Sequence, residues 1–294
     1  MAPQKNMILS LQSHVVYGHV GNRAAVFPLQ RMGFDVNVIN TVQFSNHTGY
    51  PTFKGQAFSA AHIAELIEGL HTLDLLKQHS AVLSGYLGNA EVGQVIANTV
   101  KRIKQANPAA LYCCDPVMGD VDIGVFVKSD ILPFFKSILA EVDILTPNLF
   151  ELSLLVNREL HTLTDIECAC QEVRALGPKI ILVTSLVSES TPADHIQMLA
   201  NSAEENWLVS TPRFHFEHPS SGAGDATAAI FLGKYLQTHD MKKSLEHTAA
   251  AIYALFKKTH TAGTREIQMI AAQDELINPK ECFTANSPSQ SSPK

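Results

Sequence analysis

From position 7 to position 184 the chain repeats one unit: a short run of apolar and β-branched residues, then a longer stretch whose apolar positions recur at helical spacing. The strand-like runs fall at 7–12, 35–43, 81–86, 111–117, 143–146 and 179–184. Helical spacing occupies 20–32, 59–77, 90–106, 129–140 and a stretch from 148, with a turn-rich segment at 45–55. Strands that are apolar on both faces need cover on both, and a parallel sheet with helices above and below provides it. The pattern predicts an α/β fold, a three-layer α/β/α sandwich with a mostly parallel central sheet. A hairpin of 195–201 with 207–210 would extend one edge, and 222–274 reads as helices. No linker and no repeat of 20–50 residues interrupts this, so 1–279 reads as one domain. The Ser-, Pro- and Gln-rich end predicts a disordered tail over 280–294.

The 294 residues are 46% hydrophobic and 17% charged, the composition of a globular protein able to bury a large core. A net charge of −6 without a basic cluster excludes a nucleic-acid footprint. The longest apolar run, 180–186, has roughly half a membrane-spanning length. The N-terminus carries no basic region followed by a long apolar stretch, so no secretory signal is expected. Five cysteines without C-x-x-C spacing fit a reducing cytoplasm. The 13 histidines show no H-E-x-x-H spacing.

Parallel α/β sheets bind ligands at the carboxyl ends of their strands. The loop after the first run, Ser13 to Gly21, lacks G-x-G-x-x-G, and no G-x-x-x-x-G-K-[ST] or protein-kinase signature occurs anywhere. Three other loops carry chemistry. Ser221-Gly222-Ala223-Gly224-Asp225-Ala226 opens a helix with unobstructed amides, a ready anion site, and Asp225 could accept a hydroxyl proton there. A glycine-rich turn with a helix-stabilising Asp explains the same residues. In Thr146-Pro147-Asn148-Leu149-Phe150-Glu151, a capping box accounts for Asn148 and Glu151. Alternatively Glu151 reaches a magnesium ion together with Asp115, a charge at the end of a buried strand. The segment 40–50, with Phe44, His47 and Thr48, offers rings and hydroxyls that suit a flat heteroaromatic ligand, although turn chemistry explains it equally well.

Taken together, Gln12-Ser13-His14-Val15-Val16-Tyr17-Gly18-His19-Val20-Gly21-Asn22, Val42 to Tyr50, Leu83-Ser84-Gly85-Tyr86, Cys114 to Gly119 and Thr146-Pro147-Asn148 resemble the pyridoxal kinase family of the ribokinase-like superfamily, over about 7–279. The resemblance implies ATP-dependent phosphorylation of the 5′-hydroxymethyl of pyridoxal, and usually of pyridoxamine and pyridoxine. It implies Asp225 as general base and the amides of Gly222, Ala223 and Gly224 as anion hole. Ser13, Thr48 and Tyr86 would contact the substrate, with Val20, Phe44, His47 and Gly49 around its ring. Asp115 and Glu151 would organise Mg²⁺, with K⁺ or Na⁺ beside it. Thr146, Asn148, Thr184 and Ser185 would serve the ATP phosphates, and Thr211, Pro212, Arg213 and Phe214 the adenosine. The stretch 120–127 resembles a flap over ATP, and the assembly would be a homodimer. Thr184, Phe126 and the lead-in His218-Pro219-Ser220-Ser221 depart from forms found in some relatives, and none of these removes the base or the anion hole. A sibling kinase acting on hydroxymethylpyrimidine, and a carrier of pyridoxal phosphate without catalysis, are the competing readings.

Overall fold

The protein is described here by a computed structural model covering residues 6–217 and 221–288. In chain order its elements are β1 (Met7–Val15), α1 (Asn22–Arg31), β2 (Asp35–Phe44), β3 (Gly55–Ala57), α2 (Ala60–Thr72), β4 (His79–Ser84), α3 (Ala90–Ala106) and β5 (Leu111–Cys114). There follow β6 (Gly119–Asp120), β7 (Gly124–Val125), α4 (Ile131–Ile138), β8 (Ile144–Leu145), α5 (Leu149–Val156) and α6 (Leu163–Arg174). The last are β9 (Ile180–Leu186), β10 (His195–Asn201), β11 (Asn206–Pro212), α7 (Ala223–Thr238) and α8 (Met241–Ala262).

One nine-stranded sheet runs in the order β11-β10-β9-β8-β5-β4-β1-β2-β3. The pairings from β2 through β9 are parallel, while β3, β10 and β11 are added antiparallel at the edges. Successive strand residues face opposite layers, as the two-residue period requires. Leu9, Leu11, Val82, Cys114, Leu145, Ile181 and Val183 join a core under α2 to α6. Their neighbours Ile8, Ala81, Leu83, Cys113, Ile144 and Leu182 pack against α1, α7 and α8. This is the expected three-layer sandwich. The chain leaves β1 for β2 on one side, then returns to build β4, β5, β8 and β9 on the other. The loops after β1 and β4 therefore diverge and leave a crevice at the carboxyl edge.

Several boundaries differ from the sequence expectation. β1 runs to Val15, so Ser13 lies in a strand rather than a loop. The turn-rich segment closes with β3 pairing on β2. The helix expected from 148 stops at Val156, where Asn157 takes a left-handed φ of 55°, and α6 begins again behind a Thr162–Asp165 capping box. Residues 264–276 are mostly turns, not helix. Part of the tail expected from 280 is packed on the domain. Phe283 packs its ring on Tyr253, Ala285 is buried, and Asn286 exchanges backbone hydrogen bonds with Leu208. Residues 289–294 of that tail, and His218, Pro219 and Ser220 of the glycine-loop lead-in, lie outside the described residues. Among the described residues no helix is long and apolar enough to cross a membrane.

Asn22 ties the first loop into the sheet. Its amide nitrogen donates to the Gln12 and Ile39 carbonyls and to Asn40 Oδ1, at 3.2, 3.1 and 2.8 Å. Its Oδ1 accepts from the buried Ser10 hydroxyl at 2.7 Å. Asn22→Ala strands these partners without water, at a cost of roughly 2–3 kcal/mol. Thermal unfolding should register a Tm fall on the order of 5 °C; an unchanged Tm would show that the network does not hold the loop.

Candidate active site

Asp225 lies in the first turn of α7, and its Oδ2 accepts the backbone N–H of Gly21 at 2.8 Å. Packed protein around it pushes its carboxyl up to about 6, with the Gly21 N–H holding it back. Gly222 precedes the helix with φ 92°, and a Cβ there would run into the His19 carbonyl. The glycine is thus required by conformation and by space. No side chain caps α7, which leaves its first amides free for an acceptor from outside. The loop between β1 and α1 and the glycine loop are therefore packed directly on one another.

Asp115 follows β5 and Glu151 stands in the first turn of α5; both are buried. Glu151 accepts the Met118 and Asn148 N–H groups at 2.8 and 3.0 Å, and Asn148 Oδ1 accepts the Glu151 N–H at 2.8 Å. The capping box is real. Asn148 also donates to the Gly119 carbonyl at 2.8 Å, so its amide anchors the start of the β6–β7 hairpin. Burial pushes both acids upward. For Asp115 the charges of Glu151 and Asp225 push further, and only Thr146 restrains it. The Thr146 hydroxyl itself is buried without a full hydrogen bond. Among the described residues no three His, Cys, Asp or Glu side chains are grouped to hold a metal ion by themselves. Two desolvated carboxylates that repel each other nonetheless suit a cation whose remaining ligands are water and phosphate.

Beside α7 a cleft of roughly 220 Å³ is lined by Thr184, Ser185, Thr211, Pro212, Arg213, Phe214, Ala223 and Gly224. Every residue expected on the adenosine side, and both expected from β9, meet there. Ser185 holds a left-handed φ of 49°, unusual for a residue other than glycine. The loop after β8 is joined to β9 through the Thr184 N–H, which donates to the Pro147 carbonyl at 2.9 Å. Phe214 rests on the Tyr253 and His260 rings. Asp122, at the tip of the β6–β7 hairpin, reaches the rim. A larger hollow between α2 and α3 lies on the outer surface, away from the strand ends, where Arg102 and Glu68 pair with each other.

The residues expected around a flat ring lie on the loops after β1, β2 and β4 and in the last residues of β1 and β2. Val20 is buried, Ser13 and Tyr86 are half-buried, and Phe44 packs on Phe53 with ring centroids 5.1 Å apart. The His47 Nδ1 lies 3.2 Å from the Ser221 hydroxyl, and burial, then Arg265, lowers its pKa. Thr48 and Gly49 stand exposed in their loop. Sequence reasoning passed over Arg265 and Glu266, which meet Tyr50 here, and Tyr253 and Phe256, which wall the cleft. Their signal is long-range contact, which a local motif does not carry.

The phosphomethylpyrimidine kinase family model matches residues 35–269. A pyridoxal kinase, PdxY, of Deinococcus radiodurans is 47% identical over 95% of both chains, and one of Rubrobacter xylanophilus is 47% identical over 94% of this chain and 95% of its own. The structure of a Leishmania donovani pyridoxal kinase with ADP and ginkgotoxin superposes with a TM-score of 0.90 at 30% identity, covering 96% of this chain and 99% of that one. With full-length relatives at this identity and the same fold, the chain belongs to the pyridoxal kinase family.

Proposed function

We propose that the chain is a pyridoxal kinase, transferring the γ-phosphate of ATP to the 5′-hydroxymethyl group of pyridoxal, and of pyridoxamine and pyridoxine. The observation that carries this reading is the position of Asp225. It stands at the uncapped start of α7, whose Ala223 and Gly224 line the cleft, with the β1–α1 loop hydrogen-bonded to its carboxylate. Relatives of L. donovani solved with ADP and pyridoxamine, or with ADP and pyridoxine, support the substrate class. The family model's description favours a pyrimidine substrate instead. Relatives named for pyridoxal at 47% identity along 95% of the chain outweigh it. A carrier would need neither a raised carboxylate nor free amides.

In the reaction, Asp225 takes the proton of the hydroxymethyl group as its oxygen attacks the γ-phosphorus. The bond from that phosphorus to the β–γ bridging oxygen breaks, and ADP leaves. Amides of Gly222, Ala223 and Gly224 stabilise the oxygens of the transferring group, where preorganised donors act most strongly. Ser13, Tyr86 and Thr48 orient the heteroaromatic ring, with Val20, Phe44 and His47 around it. Thr184, Ser185 and 211–214 hold the nucleotide. Asp115 and Glu151 would hold Mg²⁺, with Thr146 and Asn148 supporting them and K⁺ or Na⁺ close by. When bound, Mg²⁺ neutralises charge on the β- and γ-phosphates. The five free cysteines fit a cytoplasmic enzyme, and family membership suggests a homodimer.

Asp225→Asn should lose about 10²- to 10⁴-fold in kcat, with ATP binding retained, when pyridoxal phosphate formation is followed by mass. The wild-type base is active only when ionised, so kcat/KM should fall as pH drops through about 6 and level off above it. Similar rates from both proteins would remove Asp225 as base. Glu151→Gln keeps the size of the side chain and halves the carboxylate pair, giving up one of its two backbone N–H contacts. It should raise the Mg²⁺ concentration for half-maximal activity by roughly tenfold; an unchanged requirement would place the metal elsewhere.

A further inference from the structure

Glu266 follows α8 in a segment pinned by Ile267 and Met269, both fully buried. Its carboxylate reaches two loops that are far apart in sequence. Oε2 accepts the backbone N–H of His19 at 3.1 Å, and Oε1 accepts the Tyr50 hydroxyl at 2.6 Å. Gly18 takes a φ of 92°, and any Cβ there would strike this carboxylate. Arg265 completes the grip on the second loop. Its guanidinium donates to the Gly49 carbonyl at 2.7 Å and sits over the Tyr50 ring, 4.0 Å from the centroid. Burial, then the bond to Glu266, pushes the Tyr50 hydroxyl up to about 12, so it stays a donor across the working range of pH. The Ile267 side chain next door comes within contact distance of a Cβ placed on Gly222.

We propose that Glu266 is a positioning residue for phosphoryl transfer, clasping the β1–α1 loop and the β2–β3 loop to the α7–α8 layer. Each loop carries site groups. The first holds Asp225 through the Gly21 N–H and packs the His19 carbonyl on Gly222. The second carries His47, which lies beside Ser221 at the edge of the glycine loop. Without the carboxylate, the His19 N–H and the Tyr50 hydroxyl lose their common acceptor, and the two loops move independently of the base. The nucleotide cleft is lined by neither loop, so ATP binding does not depend on the clasp.

The inference rests on the kinase reading for its kinetic readout, and a second readout is independent of it. Glu266→Ala should raise KM for pyridoxal and lower kcat, each by roughly tenfold, while KM for ATP stays within about twofold. Glu266→Gln should recover most of that loss, because its amide can accept from His19 and donate to the Tyr50 oxygen. Tyr50→Phe in the Glu266→Ala background should add little, since both remove one contact. Hydrogen exchange on the folded proteins should show amides of 16–21 and 46–50 opening together in Glu266→Ala, with the interior of α7 unchanged. Equal losses for pyridoxal and ATP, no rescue by Gln, or faster exchange in only one loop would overturn the clasp. A wild type that makes no phosphate ester would refute the kinase reading, while the exchange result still decides the clasp.

Discussion

A single hydrogen bond, from the Gly21 N–H to the Asp225 carboxylate, joins positions 204 residues apart and sets the arrangement of everything around it. The loop after β1 reaches the start of α7 because β1 is central in the sheet and α7 covers one of its faces. The bond favours the ionised carboxylate while the surrounding protein disfavours it, and the balance leaves the acid near 6. A carboxylate poised there is both ionised at neutral pH and basic enough to take a hydroxyl proton. The same contact lays the His19 backbone on Gly222, so Asp225 and the glycine loop that opens α7 are placed by one packing event.

Around that bond the sheet's carboxyl edge gathers charge that the core could not tolerate elsewhere. Asp115 and Glu151 end buried, with each acid pushed toward its neutral form. Backbone amides from Met118, Gly119 and Asn148 offset part of this for Glu151. Such an arrangement costs stability in the free protein, a pattern common where a fold carries a site at the expense of its own packing. The charges of Glu151 and Asp225 both act on Asp115, so the three acids form one electrostatic group.

Much of this is legible from local sequence. Strands apolar on both faces and helices with clear periodicity announced the sandwich, and α3 falls where its spacing put it. Gly222 to Asp225 and Asn148 to Glu151 carry their meaning in a few adjacent residues, so the helix start and the capping box could be read directly. The break between α5 and α6 was not read, although Asn157, which ends the helix in a left-handed backbone, opens the polar run Asn157-Arg158-Glu159. The tail was misjudged by composition: Phe283 and Ala285 are few, but they find a groove against α8 and β11. Arg265 and Glu266 look like an ordinary charged turn until folding brings Gly18, His19 and Tyr50 to them. Contacts across more than two hundred residues leave no trace in spacing.

The substrate side is where the account commits itself most, since a flat ring with a hydroxymethyl group describes pyrimidines as well as pyridoxal. The most direct measurement compares kcat/KM for pyridoxal and for hydroxymethylpyrimidine with the same purified protein, ATP and Mg²⁺, each product followed by mass. Loops shaped for the pyridine ring should favour pyridoxal by at least about tenfold, the discrimination that a few well-placed contacts supply. A higher kcat/KM for the pyrimidine would contradict the account and assign the same base, cleft and anion hole to the other alcohol.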